Sequence, residues 1–551
     1  MSIYRPQSQL ITHEVSNQPP PLEDFDAFAL DQPLRDALDR TSAKKHGSRL
    51  SAFGKKVGSA EVIEWGRLAN ENPPQSRVFD RFGHRIDQVE FHPAYHELMR
   101  LGLEGGVSAA AWKEAEGGHA LHAALLYLMT QADAGTVCPM SMTYAVVPAL
   151  RVEPTIANEW EPRVTRCRYD PRVIPVGDKE GATMGMAMTE KQGGSDVRAN
   201  TTRARCVGEG EYELTGHKWF CSAPMSDAFL TLAYAEGGLT CFLVPRWRPD
   251  GSRNAIHIMR LKDKLGDRSN ASSEIEYHGA LAQRVGDEGR GVRTIIEMVQ
   301  GTRLDCIAGS AAGMRAALVQ AIWHTRHRSA FQRRLSDQPA MQAVLSDLAL
   351  EAEGACALTM RIASAFDAAA KGDEKEAAFA RLATPIAKYW VCKRQPGFVH
   401  EALECLGGAG YVEEGPMPRL FRQSPLNAIW EGSGNVIALD VLRALGREPD
   451  GWEAFRGELV QASGAHALLD TTIERLDTLL AEGLPKEADA RRFVEMAALA
   501  LEAVCLRHAP PAVFDGFCAV RLDPAARAFA YGGSGVGLDH HTILLRALPT
   551  T

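Results

Sequence analysis

The assignment of a fold to this chain rests first on Ile429-Trp430-Glu431-Gly432-Ser433-Gly434-Asn435, where a carboxylate stands beside an indole and small, glycine-rich residues follow. A glutamate next to a bulky apolar ring loses solvation, which raises its pKa toward the range that suits a general base. The small residues after it let a backbone come close to a flat or phosphorylated ligand. The stretch therefore predicts a base beside a ligand site, although the same letters also occur at ordinary helix starts.

Two upstream segments make the interpretation of this stretch as a ligand site more specific. The first is Ala187-Met188-Thr189-Glu190-Lys191-Gln192-Gly193-Gly194-Ser195-Asp196-Val197-Arg198-Ala199, and the second is Glu404-Cys405-Leu406-Gly407-Gly408-Ala409-Gly410-Tyr411. Hydroxyl groups, together with backbone N–H groups that no Cβ atom blocks, suit carbonyl and phosphate oxygens. Both segments therefore favour a nucleotide-like ligand.

Together the three segments closely resemble the two sequence signatures and the catalytic glutamate of the acyl-CoA dehydrogenase family. All positions of the first signature are met. In the second, Glu414 and Arg419 stand where an acidic and a basic residue are expected, whereas Gln423 replaces a carboxylate or Asn. The resemblance implies an α+β, mostly α fold with an N-terminal helical domain, a middle antiparallel β-barrel domain and a C-terminal four-helix bundle. It also implies non-covalent FAD between the β domain and the bundle.

The resemblance assigns Glu431 as the base that removes the α-proton of an acyl thioester while a β-hydride goes to flavin N5. One subset of the family carries its glutamate just before the Arg that matches Arg303, and here that position is Thr302, which leaves Glu431 as the candidate. Without the resemblance, Trp219 and its neighbour would be interpreted as strand core. The positions matched to flavin contacts, with a Ser hydroxyl able to address N5, are Met188, Thr189, Gly194, Ser195, Trp219, Phe220, Cys221, Ser222, Ile429, Trp430, Gly432, Ser433 and Asn435.

Some matched positions serve a neighbouring subunit in the family. Arg328, three residues before Phe331, resembles an R-x-x-F pattern that delivers an Arg to the FAD pyrophosphate, for which a bidentate guanidinium is well suited. Gln332 stands where the family usually has Gly, and a surface Arg is the alternative interpretation. Gly407 and Gly408 match a loop near the adenosine half. Shared sites imply an obligate homo-oligomer, usually a tetramer in this family.

Composition narrows the class of protein. The chain has 551 residues, 45% hydrophobic and 24% charged, so it is long enough for several cores. A net charge of −8 gives the whole molecule no general attraction to nucleic acid or anionic membrane. Its 11 cysteines occur singly, without zinc spacing, which fits a reducing cytosol and no metal site. The start lacks a signal-peptide pattern and no apolar run is long enough to span a membrane, so a cytoplasmic location is expected.

Changes in apolar spacing divide the chain into four parts. Residues 1–184 combine a polar, Pro-rich arm (1–25) with helical spacing, and residues 185–290 alternate as antiparallel strands do. Residues 291–445 return to long helices that would carry FAD, the catalytic Glu and oligomer contacts. Residues 446–551 form an additional helical domain, a candidate for DNA binding.

Further likeness narrows the match to the branch of the family that serves the bacterial adaptive response to DNA alkylation damage. It lies in residues 12–22, 216–220, 262–272 and 420–431, and in Trp430, where ordinary dehydrogenases favour Tyr. This branch implies FAD, at most weak acyl-CoA dehydrogenase activity, and binding of double-stranded DNA that protects it. The alternatives are a genuine acyl-CoA dehydrogenase of branched-chain or other acyl catabolism, and a non-catalytic flavoprotein that coats DNA.

The charge of the additional domain argues against DNA binding. Residues 446–551 hold ten Lys or Arg and fifteen Asp or Glu, so 10 − 15 = −5. Duplex binding depends mainly on phosphate neutralisation by cations. An acidic domain can still bind if its arginines share one face, and the alternative is that they are solvated helix charges. The candidate DNA-binding residues are Arg491, Arg492, Arg521, Arg527 and Arg546.

Overall fold

A computed structural model describes residues 7–549 of the protein, so the first residues of the predicted arm lie outside the described range. The first part is helical with one hairpin. Its helices are α1 (Gln32–Asp39), α2 (Gly47–Val57), α3 (Ala60–Glu71), α4 (Pro93–Gly105), α5 (Ala110–Lys113), α6 (Gly118–Ala132), α7 (Ala134–Leu150) and α8 (Pro154–Val164), and its strands are β1 (Gln75–Phe79) and β2 (Arg85–Glu90). The sequence did not predict this hairpin, which pairs antiparallel and carries mostly exposed or half-buried residues.

The middle part is a β domain that closes on itself. Its strands are β3 (Met184–Ala187), β4 (Arg203–Gly208), β5 (Glu211–Ser222), β6 (Ala228–Ala235), β7 (Gly238–Pro245), β8 (Ile256–Leu261) and β9 (Ser272–Val285). Pairings β6–β4–β5–β9–β7–β6 form a ring, which removes exposed strand edges. The expectation of antiparallel strands throughout is wrong at two places, because β3 and β4 each pair with β6 in parallel.

Long helices return after the β domain. They are α9 (Gly291–His327), α10 (Pro339–Ala369), α11 (Glu374–Glu404), α12 (Met417–Gln423) and α13 (Gly434–Arg447), with the short strands β10 (Ser329–Ala330) and β11 (Arg333–Arg334) between the first two helices. Helix α9 is long and apolar, and 83% of its most apolar window is buried within the fold, as is typical of a core helix. The side chains of α9, α10 and α11 form the centre of the largest hydrophobic cluster.

Five helices complete the described chain and share that core. They are α14 (Pro449–Leu459), α15 (Ala467–Ala481), α16 (Ala490–Leu506), α17 (Pro511–Phe517) and α18 (His540–Ala547). Helix α16 packs on α10 and α11, and its residues join the same hydrophobic cluster as the bundle. Removing residues 446–551 would therefore expose buried apolar surface of α10 and α11.

Candidate active site

The loop that carries Glu431 is held in an unusual backbone conformation. Glu431 has a φ of 56° and Gly432 a φ of 110°, and a left-handed conformation at a non-glycine residue needs support from its surroundings. Arg303 on α9 donates to the Glu431 carbonyl oxygen at 3.1 Å. Lys388 on α11 donates to the carbonyl oxygens of Trp430, at 2.8 Å, and Gly432. Two cations therefore fix three successive residues of the loop.

The Glu431 carboxyl group is suited to proton transfer. Its Oε2 is buried and has no hydrogen-bond partner among residues 7–549, so it is available to a ligand. Burial raises the pKa of Glu431, against the opposing effects of the Thr302 hydroxyl, Arg303 and Lys388. A carboxylate that is partly desolvated near neutral pH is a better base than an exposed one. Thr302, the position where a subset of relatives carries its base, lies directly beside this carboxyl group.

The strand matched to the flavin edge presents its residues alternately. The Trp219 backbone N–H donates to the Thr189 carbonyl oxygen at 2.8 Å, which ties β5 to the glycine-rich loop. Phe220 is 49% exposed and Ser222 is half-buried, whereas Cys221 lies in the core of the β domain. Strand alternation points the Cys221 side chain inward, so a flavin contact at Cys221 could involve only its backbone atoms.

Ser222 and Glu431 approach the same side chain on α7. The pKa of the Cys138 thiol is raised to about 12, mainly by burial. Lys264 acts against this rise, the charges of Asp267 and Glu431 add to it, and the Ser222 hydroxyl opposes it. Such effects act over short distances, so the Ser222 hydroxyl and the Glu431 carboxyl group both lie near Cys138. The structure thus brings together two residues that are 209 positions apart in the sequence.

The glycine-rich loop is built for close approach. A Cβ atom on Gly194 would lie 2.8 Å from the Thr189 hydroxyl oxygen, so this position requires glycine. Ser195 beside it is exposed, and Met188 and Thr189 are half-buried. Below the loop, Glu190 accepts from buried Lys218 at 2.9 Å and from Thr202, which fixes the ends of the loop. Exposed hydroxyl and N–H groups on a rigid base fit the carbonyl and phosphate oxygens of FAD.

The residues after Glu431 surround the start of a helix. Ser433 precedes α13, and Ser433 and Asn435 are both exposed. The first N–H groups of a helix suit the negative charge of a phosphate-bearing cofactor. Trp430 donates its indole N–H to Asn427 at 2.8 Å, which fixes the ring, and Ile429 beside it is 61% exposed.

Arg328 and the pair Gly407–Gly408 lie on other surfaces of the chain. Arg328 donates to the carbonyl oxygen of Asn17 in the N-terminal arm at 2.7 Å. Gly407 has a φ of 59°, and a Cβ atom on either glycine would meet nothing within 4 Å, so this loop faces open space. Large apolar side chains are exposed beside both sites, with Phe331 at 92% and Tyr411 at 82%.

The candidate DNA-binding arginines separate into two groups. Arg521 is buried in ion pairs with Asp347 and Glu351, and Arg546 in ion pairs with Asp36 and Glu353. The prediction is wrong for Arg521 and Arg546, because guanidinium groups held by carboxylates inside the fold are unavailable to phosphates.

The other three arginines are exposed. Arg491 and Arg492 open α16, and Arg527 reaches Glu495 one turn further along that helix at 3.3 Å. These three residues therefore share one surface, which we call the α16 basic patch. Arg491 also donates to the Tyr389 hydroxyl at 3.0 Å, and its charge lowers the pKa of Lys393 after the effect of burial, so Lys393 borders the patch.

Several residues of the site were missed from the sequence. Lys388 stands in the otherwise apolar run Ile386-Ala387-Lys388-Tyr389-Trp390, and a buried lysine in such a run is a signal that it has a polar task. Arg303 and Cys138 carried no comparable signal. Close to Glu431 on α9, Asp305 pairs with the fully buried His122 at 2.7 Å.

The chain combines a helical first part, a β domain and a helical bundle. It also holds a buried glutamate, together with a loop and a strand that fit a flavin. These features together define the architecture of a flavin-dependent dehydrogenase. Residues 17–171 match the family described as the adaptive response protein AidB N-terminal domain, residues 185–280 the acyl-CoA dehydrogenase middle domain, and residues 289–446 the acyl-CoA dehydrogenase C-terminal domain. AidB of Escherichia coli (strain K12) is 45% identical over 93% of this chain and 95% of its own length. Acyl-CoA dehydrogenase family member 11 of Caenorhabditis elegans is 32% identical over 79% of this chain and 72% of its own.

Solved structures agree with these matches. Bd2924 in its apo form has a TM-score of 0.82 and 28% identity, and covers 90% of this chain and 99% of its own. Caenorhabditis elegans ACDH-11 in complex with C11-CoA also has a TM-score of 0.82, with 26% identity over 98% of this chain and 93% of its own. The chain belongs to the acyl-CoA dehydrogenase family, in its AidB branch. It is thus an FAD-dependent oxidoreductase by family, and the predictions of family, fold and cofactor are confirmed.

Proposed function

We propose that this protein is an FAD-containing member of the response to DNA alkylation that binds double-stranded DNA and protects it, with at most weak acyl-CoA dehydrogenase activity. The observation that carries the proposal is the α16 basic patch. Arg491 and Arg492 lie in the first turn of α16, where positive charge opposes the helix dipole. Cations at that position do not serve the stability of the helix, and Arg492 has no ion-pair partner among residues 7–549. Binding of DNA phosphates would account for the positive charges of Arg491 and Arg492 at this position.

The patch lies close to the cofactor loop. Lys393 at its border lies near Gly434, because a Cβ atom on that glycine would be 3.0 Å from the Lys393 ammonium nitrogen. Gly434 begins the helix that follows Glu431. DNA bound across the patch would therefore pass near the rim of the flavin site.

The catalytic part of the proposal assigns a proton transfer to Glu431. With its Oε2 free and its pKa raised, Glu431 takes the α-proton of an acyl thioester, and bound FAD supplies the hydride acceptor. Arg303 and Lys388 hold the loop around Glu431 through its backbone carbonyl oxygens, and the Ser222 hydroxyl lies near Cys138. The flavin contacts predicted from the sequence remain proposals, and at Cys221 the proposed contact is with the backbone.

The second candidate function is a genuine acyl-CoA dehydrogenase. It is favoured by the same Glu431 geometry and by the similarity to ACDH-11, whose structure holds C11-CoA. Acyl-CoA substrates of graded chain length, mixed anaerobically with the holoprotein, discriminate between the two functions. Flavin bleaching that is complete within seconds for one chain length would favour the dehydrogenase, and absent or very slow bleaching for all of them would favour the DNA-associated role.

We further propose a cytoplasmic homotetramer. Eleven unpaired cysteines support a reducing compartment. The exposed Phe331 near Arg328 and the exposed Tyr411 near Gly407 support contact with a second subunit at those two places. Arg328→Ala is expected to release FAD and loosen the oligomer, measured by flavin absorbance after gel filtration. The neighbouring exposed Arg333→Ala is the control, and full flavin occupancy in Arg328→Ala would refute the assignment.

The test of the DNA proposal is binding of a random duplex to the full-length protein across a salt series. A variant that ends at residue 445 is unsuitable for this test, because α16 shares the hydrophobic core of the bundle. Substitutions of the arginines in the α16 basic patch are used instead. Binding that weakens steeply with salt supports the proposal, and no binding at low salt rejects it.

A further inference from the structure

A polar cavity lies in the β domain, and none of its lining residues contacts Glu431. It has a volume of about 180 Å³ and opens between the β1–β2 hairpin and strands β8 and β9. That volume holds roughly six water molecules, at about 30 Å³ for each. Its floor includes the Cys221 side chain, so one strand, β5, separates it from the face matched to the flavin.

Three guanidinium groups and one carboxylate face this cavity. They belong to Arg85, Arg246, Arg253 and Asp87. The carboxylate is already engaged, because Asp87 accepts from Arg85 at 2.8 Å and from the Ile258 backbone N–H at 2.8 Å. These bonds dock the hairpin on β8. Two positive charges therefore remain at the cavity without a carboxylate of their own.

Arg246 meets only neutral acceptors among residues 7–549. It donates to the carbonyl oxygens of Met225 and Asp87 at 3.4 and 3.3 Å, and approaches the Met225 sulfur at 3.4 Å. Burial, followed by the charge of Arg253, lowers the pKa of Arg246 to about 10. A half-buried guanidinium with long, neutral contacts is poorly compensated, since ionised groups in a protein interior require a counter-charge.

The Arg253 guanidinium makes fewer polar contacts than that of Arg246. Its guanidinium stacks over the Trp247 ring at 5.0 Å and makes no side-chain hydrogen bond or ion pair within the described part of the chain. The next carboxylate in the region, Asp227, is held by Lys179 at 2.7 Å and by the Thr183 backbone N–H. His257 lines the same cavity, where an imidazole N–H can donate to an oxyanion.

We propose that this cavity binds the phosphate group of a small molecule, held between Arg246 and Arg253. The argument is one of charge and shape: Arg246 and Arg253 line a cavity whose one carboxylate, Asp87, is already bonded to Arg85, and planar guanidinium donors match a tetrahedral phosphate. The volume admits inorganic phosphate or a small phosphate ester and excludes a duplex. This site is independent of the flavin site and of the α16 basic patch.

The test is calorimetric titration of the FAD-loaded, full-length protein with inorganic phosphate at an ionic strength fixed by chloride. A parallel titration with glycerol 3-phosphate distinguishes the free anion from a phosphate ester. We expect saturable binding with one site per chain, and an Arg253→Gln variant that binds at least about tenfold more weakly, since a charge-assisted hydrogen bond is lost. Arg205→Gln, which removes an exposed charge from β4 outside the cavity, is expected to bind as the unchanged protein does.

Two outcomes would overturn the proposal: no saturable phosphate binding by the unchanged protein, or equal affinity in Arg253→Gln. The fold is expected to tolerate Arg253→Gln, and its FAD content and melting temperature verify this. Arg253→Lys keeps the charge without the fork, so an affinity between those of the unchanged protein and Arg253→Gln is expected. If Arg253→Gln does not fold, the lysine variant alone decides, and unchanged affinity in it then refutes the proposed fork.

Discussion

Removing the two leading arginines of α16 is the sharpest test of DNA binding. In the double variant Arg491→Gln/Arg492→Gln, the α16 basic patch keeps only Arg527. If each exposed arginine neutralises one phosphate, log Kd should change with log salt with a slope near 2.7 in the unchanged protein and near 0.9 in the variant, at about 0.9 for each contact. Affinity should then fall about 40-fold in the unchanged protein between about 50 and 200 mM salt, but only about 3- to 4-fold in the variant.

Fluorescence anisotropy with a labelled random duplex measures both slopes. The matched control is Arg456→Gln/Arg475→Gln, which removes the same charge from exposed positions on α14 and α15 of the same segment. The control should keep the slope of the unchanged protein, because its arginines lie outside the patch. Equal slopes in the unchanged protein and the α16 variant, or an equal loss in the control, would refute the reasoning that local placement of charge overrides the net charge of −5.

Three further predictions concern the site and the core. Glu431→Gln should slow flavin reduction by any reactive acyl-CoA by about 10²- to 10⁴-fold with FAD still bound, and in the unchanged protein the rate should fall as pH drops through the raised pKa of Glu431. Lys388→Met should lower the free energy of unfolding by about 2 kcal/mol and slow flavin reduction, because the carbonyls of Trp430 and Gly432 lose their donor. Burial raises the pKa of Glu502 from 4.5 to about 8. As pH rises, Glu502 loses its proton in the unfolded chain before it does so in the folded protein. The free energy of unfolding should therefore fall by up to about 5 kcal/mol between pH 4.5 and 8. Glu502→Gln should remove that pH dependence.

Each of these predictions has its own control. Stopped-flow absorbance follows the flavin, and unchanged reduction in Glu431→Gln would exclude it as the base. Lys375→Met, an exposed position at the start of α11 without a bond to the loop, should leave reduction intact. Denaturant unfolding at several pH values checks Glu502, and a pH dependence that persists in Glu502→Gln would assign it to another group.

Local patterns were sufficient to predict what depends on neighbours in the sequence. The changes in apolar spacing placed near residues 185 and 291 lie within one residue of the starts of β3 and α9. The indole beside Glu431 anticipated a raised pKa, since burial is its main cause. Family resemblance supplied the layout of the domains, because closely related sequences share it.

Long-range partners could not be predicted from these patterns. Arg303 and Lys388 bind a loop that lies 128 and 42 residues away, and nothing beside them in the sequence marks that contact. The carboxylates that bury Arg521 and Arg546 come from α1 and α10. An arginine on its own looks the same whether it is solvated or internally paired, so only the fold separates the two groups. The β1–β2 hairpin was not predicted, because its residues do not alternate clearly between apolar and polar side chains.

The net negative charge of residues 446–551 is therefore a poor predictor of whether this segment binds DNA. Several of its arginines serve internal pairs, such as Arg456 with Asp477, and several of its carboxylates are consumed in the same way, such as Glu458 with Arg361. Charges paired at short range contribute little field at a distance. Arg491 and Arg492 at the start of α16, together with Arg527, have one ion-pair partner among residues 7–549, which is Glu495, and Lys393 adds a further positive charge beside them. Local arrangement rather than net charge thus decides whether a phosphate backbone is attracted to this surface.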